Sequence, residues 1–419
     1  MDKTDCQEES FSTRVIAEQF QKKDTHGAIT MPIYRNAAFE FADSVSIANA
    51  FQYKEEEPSH TYSRISNPTV ENFEKKMKAA SGAQQVQAVS SGMAAISNTF
   101  MTLIYAGANI VTSPHLFGNT FSFFKFTLAN LGVEARMVNT DNPAEIEAAI
   151  DENTVAFFCE LITNPHMEIA DLEKISPILK ARNVPMIVDS TIVPWCGFNA
   201  PKFGADIEVV STTKYISGGA TSIGGAILDY GTFNWKKNKV LGMFPKTAEM
   251  SPFAYRLKRE IARNFGACMD SDIAYMQSLG METLELRFQK VSDSACEIAQ
   301  FLEAQPEVVR VGYTALASSP YKQVSDKMFT TNPGAMLTFR LQSQEKCYAL
   351  MDKLNIIRRA TNLFDNKTLI IHPYSTIYGT FSKEMKDKMD IKDNELRLSV
   401  GLEGVEDLKK DLRQALDSI

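Results

Sequence analysis

From Asn67 onward the chain alternates between two hydrophobic periods. Asn67-Pro68-Thr69 offers a cap residue followed by Pro, Val70, Phe73 and Met77 recur on one face, and Gly82 stops the run, which predicts a helix. Short apolar runs then alternate with amphipathic ones. Strands are expected at Gln85–Ser90, Asn109–Ser113, Val133–Val138, Val155–Glu160, Pro185–Asp189 and Ile207–Ser211, and helices at Gly92–Tyr105 and Asn119–Leu131, the latter stopped by Gly132. Apolar strands separated by helices imply an α/β fold with a mostly parallel sheet covered on both faces.

Beyond about residue 262 the order changes. A long amphipathic helix, Thr283–Ala304, is followed by strands at Val308–Val311 and Met336–Leu341. A last strand, Leu396–Val400, precedes a helix that starts near Gly404. This is the pattern of a smaller α+β domain. The N-terminal segment reads differently. A short helix, Thr13–Lys23, leads into a stretch with little periodicity, and Glu55-Glu56-Glu57-Pro58-Ser59 marks a solvated loop. An arm without its own core must pack on something, and a neighbouring subunit is expected. The division is an arm (1–66), a large domain (67–262) and a C-terminal small domain (263–419), with no internal repeat.

Composition narrows the class. A chain of 419 residues can bury a large core, and its net charge of −7 argues against nucleic acid as a partner. No apolar run approaches the roughly 18 residues of a membrane span, and the polar start Met1-Asp2-Lys3-Thr4-Asp5 is unlike a signal peptide. The six cysteines form no C-x-x-C pair and the five histidines no H-E-x-x-H, so neither a metal site nor a disulfide framework is expected. The expected location is the cytoplasm.

Candidate chemistry gathers where apolar strands end. Pro185-Met186-Ile187-Val188 ends in Asp189, and Ile207-Glu208-Val209-Val210 runs through Ser211-Thr212-Thr213 to Lys214 and then into Gly218-Gly219. At the ends of neighbouring strands, an amine and a carboxylate face the crevice where such sheets bind ligands. The pair suits a lysine Schiff base to pyridoxal phosphate (PLP), with the Asp on the pyridinium nitrogen. Burial lowers a lysine pKa, as an imine-forming base requires. Read blandly, Lys214 is a solvated charge and Asp189 a turn cap.

Other positions carry similar alternatives. Ser91-Gly92-Met93 begins a helix, so its free N–H groups make an anion site or simply a capped start. The hydroxyls of Ser211 and Thr213 reach the same phosphate or only satisfy turn backbone. Asn164-Pro165 is a turn, or its amide meets the cofactor's phenolate oxygen. Arg397, alternating with apolar neighbours on its strand, captures a carboxylate bidentately or lies on an exposed strand face. Gly219 and Gly224 have phosphate-loop spacing, but Gly225 follows where Lys is needed.

Taken in order, Tyr62-x-Arg64, Ser91-Gly92-Met93, Asn164-Pro165, Asp189, Ser211-x-Thr213-Lys214 and Arg397 resemble the Cys/Met-metabolism family of PLP-dependent enzymes, over nearly the whole chain. The resemblance implies a fold-type I transferase assembled as a homotetramer of two catalytic dimers. It implies that Tyr62 and Arg64 reach across the dimer to the partner's cofactor phosphate. Ser91, Gly92, Met93, Ser211 and Thr213 then hold the phosphate, Phe117 and Asn164 contact the ring, and Asp189 its nitrogen. Lys214, Tyr62 and Asp189 are the implied catalytic residues, while Arg397 and Asn362 bind the substrate.

Within that family, Ala360-Thr361-Asn362-Leu363 and Asp365-Asn366-Lys367-Thr368 look most like the O-acetylhomoserine sulfhydrylases. Phe117 stands where most members carry Tyr, Phe364 where Gly is usual, Tyr374 for Ala and Tyr378 for His, so a bulkier, more aromatic pocket is expected. Loss of the Phe117 hydroxyl removes a proton donor. A thiolate leaving group (conjugate acid near ~8.5) benefits from such a donor, whereas a carboxylate (~4.3) leaves with little help. The implied substrates are an acylated homoserine and sulfide or a sulfur carrier. Methionine γ-lyase and cystathionine γ-synthase are the alternatives, and a catalytically dead PLP-binding protein is the alternative from another class.

Overall fold

In the computed structural model, which describes residues 9–18, 26–54, 60–247 and 250–419, the chain builds two sheets. The first contains β1 (Gln85–Val89), β2 (Asn109–Thr112), β3 (Glu134–Met137), β4 (Thr154–Glu160), β5 (Met186–Asp189), β6 (Ile207–Val210) and β7 (Gly225–Asp229). Their order is β1-β7-β6-β5-β4-β2-β3, and only β7 runs against its neighbours. Six are the expected strands, each displaced by at most one residue at an end. The exception is β7, whose apolar run is only Ala226-Ile227-Leu228 after a glycine-rich turn.

Alternation along these strands fills both faces. Val111, Phe157, Cys159 and Val188 belong to one buried cluster, and Ile110, Phe158, Ile187 and Ile207 to the other. Both faces are apolar because helices cover both. Each Phe hidden this way contributes roughly 1.5–3 kcal/mol. Helix Pro68–Ser81 lies where periodicity predicts, with Asn67 accepting the Thr69 N–H at 2.9 Å. The expected helix over Asn119–Leu131 is instead broken into an α segment (Gly118–Ser122), a π turn (Phe123–Thr127) and a 3-10 turn (Ala129–Leu131). In this geometry Phe124 meets Phe100 and Phe158 edge to face, at 4.7 and 5.2 Å between centroids.

The C-terminal domain carries β8 (Arg310–Gly312), β9 (Met336–Arg340), β10 (Arg358–Arg359), β11 (Leu369–Ile371) and β12 (Glu395–Ser399), ordered β10-β11-β12-β9-β8. β8 starts two residues later than Val308 suggests, because Val309 is 61% exposed and belongs to the approach rather than the sheet. β10 and β11 are too short to show a period. The helix expected over Thr283–Ala304 spans Leu284–Glu303 and packs against this sheet.

The arm departs most from its sequence pattern. Its first helix spans Phe11–Ala17, and Phe11 and Val15 are buried in the core of their own chain. The predicted end at Lys23 and the Glu55–Ser59 loop lie outside the described residues. A second helix, Ser44–Gln52, follows the cap residue Asp43. It escapes a periodicity reading because its apolar side chains Val45, Ile47 and Phe51 all face outward. Among the described residues, no helix is long and apolar enough to cross a membrane.

Candidate active site

The sheet topology brings the C-terminal ends of β1, β4, β5 and β6 to one edge. Lys214 follows β6, and its Nζ donates to Asn362 Oδ1 at 2.7 Å, from a loop of the C-terminal domain. Burial, aided by the nearby Arg397 charge, lowers its pKa to about 8. At pH 7 about one such amine in ten is therefore unprotonated, against about one in three thousand at the ordinary value. The next residue, Tyr215, is buried and takes the Ala335 N–H at 2.8 Å, fixing the segment to the second domain.

Asp189 ends β5. Its Oδ1 accepts both the Thr191 N–H (3.0 Å) and the Thr191 hydroxyl (2.6 Å), and Oδ2 has no partner among the described residues. Burial raises its pKa against those bonds. On the neighbouring strand its register partner is Glu160. Glu160 Oε1 accepts the Phe117 N–H at 2.6 Å and Oε2 the Asn164 N–H at 3.2 Å. Burial and the Asp189 charge push Glu160 up to about 8.

Arg397, on β12, is 2% exposed, which removes the exposed-face reading. Its Nη1 donates to Asn164 Oδ1 at 3.2 Å and its Nη2 to the Thr361 carbonyl at 2.9 Å, while Nε is buried without a partner among the described residues. Burial lowers its pKa to about 10, so it stays charged at neutral pH, and among the described residues its hydrogen bonds go only to neutral acceptors. An uncompensated buried guanidinium with a vacant N–H favours an anion.

Ser91 caps helix Gly92–Leu103 by accepting the Ala94 N–H at 3.0 Å, and the first turn's N–H groups point outward at the positive end of the dipole. The approach is tight. A Cβ on Gly92 comes 2.7 Å from Ser211 Cβ, and one on Gly225 comes 2.1 Å from the Ser91 carbonyl oxygen. Ser211 thus lies against the helix start. Thr213 Oγ1 exchanges bonds of 3.1 Å with the Gly224 carbonyl and N–H, which pins the turn before β7. Met93 is half-buried in the same first turn.

Tyr62 and Arg64 stand outside this cluster. Tyr62 is 43% exposed, and Arg64 sits over its ring while donating to the Arg263 carbonyl. The aromatic departures do not crowd an open pocket. Phe364, at a left-handed φ of +59°, packs on Tyr215 at 4.4 Å, Tyr378 is wholly buried, and Tyr374 faces the Lys386 amine. Two residues were not singled out from the sequence, Glu160 and Thr191. Glu160 carries the same signal as Asp189, a carboxylate closing an apolar strand.

A family model for Cys/Met metabolism PLP-dependent enzymes matches residues 12–417. The chain belongs to that family. It is 35% identical to O-acetyl-L-homoserine sulfhydrylase 1 of Thermus thermophilus, over 97% of this chain and 99% of the relative. It is 32% identical to the homocysteine/cysteine synthase of Saccharomyces cerevisiae, over 94% of each. A crystal structure from Campylobacter jejuni, provisionally assigned as an O-acetylhomoserine (thiol)-lyase, superposes with a TM-score of 0.91 at 32% identity over 98% of this chain and all 100% of that one. One of its lysines carries a pyridoxyl phosphate. An O-acetylhomoserine sulfhydrylase structure from Wolinella succinogenes gives 0.76 at 42% identity, over 84% and 99%.

The cofactor that defines this family fits the residues present. A buried amine of lowered pKa, an unpartnered oxygen on Asp189 and a helix start too close-packed for any side chain at Gly92 are the three requirements for an aldehyde, a ring nitrogen and a phosphate.

Proposed function

We propose that the chain replaces the acetate of O-acetylhomoserine by sulfide, giving homocysteine, the reaction of an O-acetylhomoserine sulfhydrylase. The observation that carries this reading is the Lys214 amine of lowered pKa, close to a buried Arg397 whose Nε lacks a partner among the described residues. When bound, pyridoxal phosphate supplies an electron-withdrawing ring that acidifies the Cα and Cβ hydrogens of an amino acid. Lys214 would hold it, and its free Nζ would take the Cα proton of the substrate. Asp189 Oδ2 keeps the ring nitrogen protonated, and Phe117 and Asn164 bound the ring. Gly92 and Met93 N–H groups, with Ser91, Ser211 and Thr213, hold the phosphate. Arg397 receives the substrate α-carboxylate on Nε and a terminal nitrogen, beside Asn362. Acetate leaves as a stable anion without a general acid, so Phe117 suffices where a thiolate leaving group calls for a hydroxyl. Sulfide, or a sulfur carrier, enters at Cγ.

The arm completes the site in the neighbouring copy of a cytoplasmic homotetramer made of two such dimers, with Tyr62 and Arg64 reaching the partner's phosphate. The arm's contact with a second copy is supported by the outward-facing Ile29, Val45 and Phe51, apolar side chains that such a copy would cover. The test is Lys214→Ala with O-acetylhomoserine and sulfide, scored for homocysteine. We expect no turnover and no absorbance from imine-linked PLP once free cofactor is removed. Wild-type turnover in that variant refutes the assignment.

A further inference from the structure

The loop that carries Phe117 and the loop that carries Asn164 are held by the same two side chains. Glu160 takes the N–H of the Leu116–Phe117 peptide at 2.6 Å and the N–H of Asn164 at 3.2 Å, one on each carboxylate oxygen. The Tyr378 hydroxyl lies 3.3 Å from the Leu116 carbonyl oxygen and 3.1 Å from the Asn164 carbonyl oxygen, so its one proton is shared between them. The N–H and C=O of one peptide unit, and the N–H and C=O of Asn164, are therefore gripped from opposite sides. Both gripping residues are buried, at 7% and 0% exposure, and they come from different domains. Asn164 in turn accepts from Arg397. The ring-facing loop, the Asn164 amide and the guanidinium thus share one support.

We propose that Glu160 and Tyr378 form a clamp that positions Phe117 against the cofactor ring and aims Arg397, through Asn164, at the substrate carboxylate. Neither is a catalytic residue, since both act through the loops they hold. The proposal rests on the reading that this crevice holds pyridoxal phosphate. Glu160 is suited to this task because each of its two oxygens can accept one of these N–H groups. A glutamine keeps one acceptor but turns an NH2 toward the other N–H. At Tyr378, phenylalanine keeps the edge-to-face packing on Phe381, 5.6 Å between centroids, and loses only the hydroxyl.

The experiment uses the full chain with Glu160→Gln and Tyr378→Phe, each read in three ways. Amide hydrogen exchange, without cofactor, is followed in fragments containing Phe117 and Asn164. Visible circular dichroism per mole of bound PLP reports the ring's seating. Steady-state kinetics separate KM for O-acetylhomoserine from kcat. We expect exchange in both fragments and KM to rise about tenfold, the upper range for the loss of one hydrogen bond. The dichroism should change in amplitude while the far-ultraviolet spectrum stays that of wild type. Unchanged exchange, dichroism and KM in Tyr378→Phe overturn the clamp, as does a lowered melting temperature alone in both variants. A wild-type protein that takes up no PLP sinks the cofactor reading instead, and the exchange result still decides the clamp.

Discussion

Replacing Arg397 with Lys keeps a positive charge and removes the planar fork. In the structure Nη2 and Nη1 are engaged by Thr361 and Asn164, so an incoming carboxylate meets the vacant Nε and shares one terminal nitrogen. Lysine offers one donor in place of that pair. A hydrogen bond to a charged group is worth about 1.5–3 kcal/mol, which converts to a fall of about 10- to 150-fold in kcat/KM. Alanine leaves the substrate carboxylate buried without a partner, a cost of about 3–5 kcal/mol, or ~150- to 5,000-fold. The assay is homocysteine formation from O-acetylhomoserine at saturating PLP, with the bound-cofactor absorbance measured on the same samples. Absorbance should not change, because Arg397 touches neither the Gly92 helix start nor Ser211. A lysine variant within twofold of wild type, or one that loses cofactor while each loaded site stays fully active, refutes the bidentate role.

Other outcomes follow from the same geometry. Mixing inactive Arg64→Ala and Lys214→Ala chains after dissociation should restore activity to about a quarter of wild type, since half the dimers are mixed and each holds one intact site; no recovery means that Arg64 serves its own chain. Phe117→Tyr should raise release of methanethiol from methionine relative to homocysteine formation, by up to about 10²- to 10⁴-fold, the usual worth of a positioned acid; an unchanged ratio removes the leaving-group argument. Capture of PLP by cofactor-free protein, corrected for titration of free PLP, should rise about tenfold per pH unit and level off above about 8, because burial lowers the pKa of Lys214 and only its neutral form reacts. A rate still climbing steeply at pH 10 contradicts that burial.

The pair Lys214 and Asp189 was legible in the sequence because both end strands too apolar to be surface, and the register of β5 and β6 then sets them at one edge. Arg397 was only half legible. A lone Arg among leucines reads equally as an outer face until the sheet shows it 2% exposed. Glu160 escaped because its two bonds go to backbone N–H groups of segments distant in sequence, which no local pattern encodes. The arm helix Ser44–Gln52 was hidden for another reason: its apolar residues point away from its own chain, so they leave no buried stripe to count. The break at Phe123–Thr127 likewise depends on Phe100 and Phe158, neither of them nearby in sequence.

The contact between Lys214 and Asn362 joins the large sheet's edge to the C-terminal domain. Before any aldehyde arrives, the amine is already occupied, and that same bond bolts the two halves of the molecule together across the mouth of the crevice. Loading must therefore undo a bolt before it can make a bond, and the freed Asn362 amide is then ready for whichever amino acid comes next.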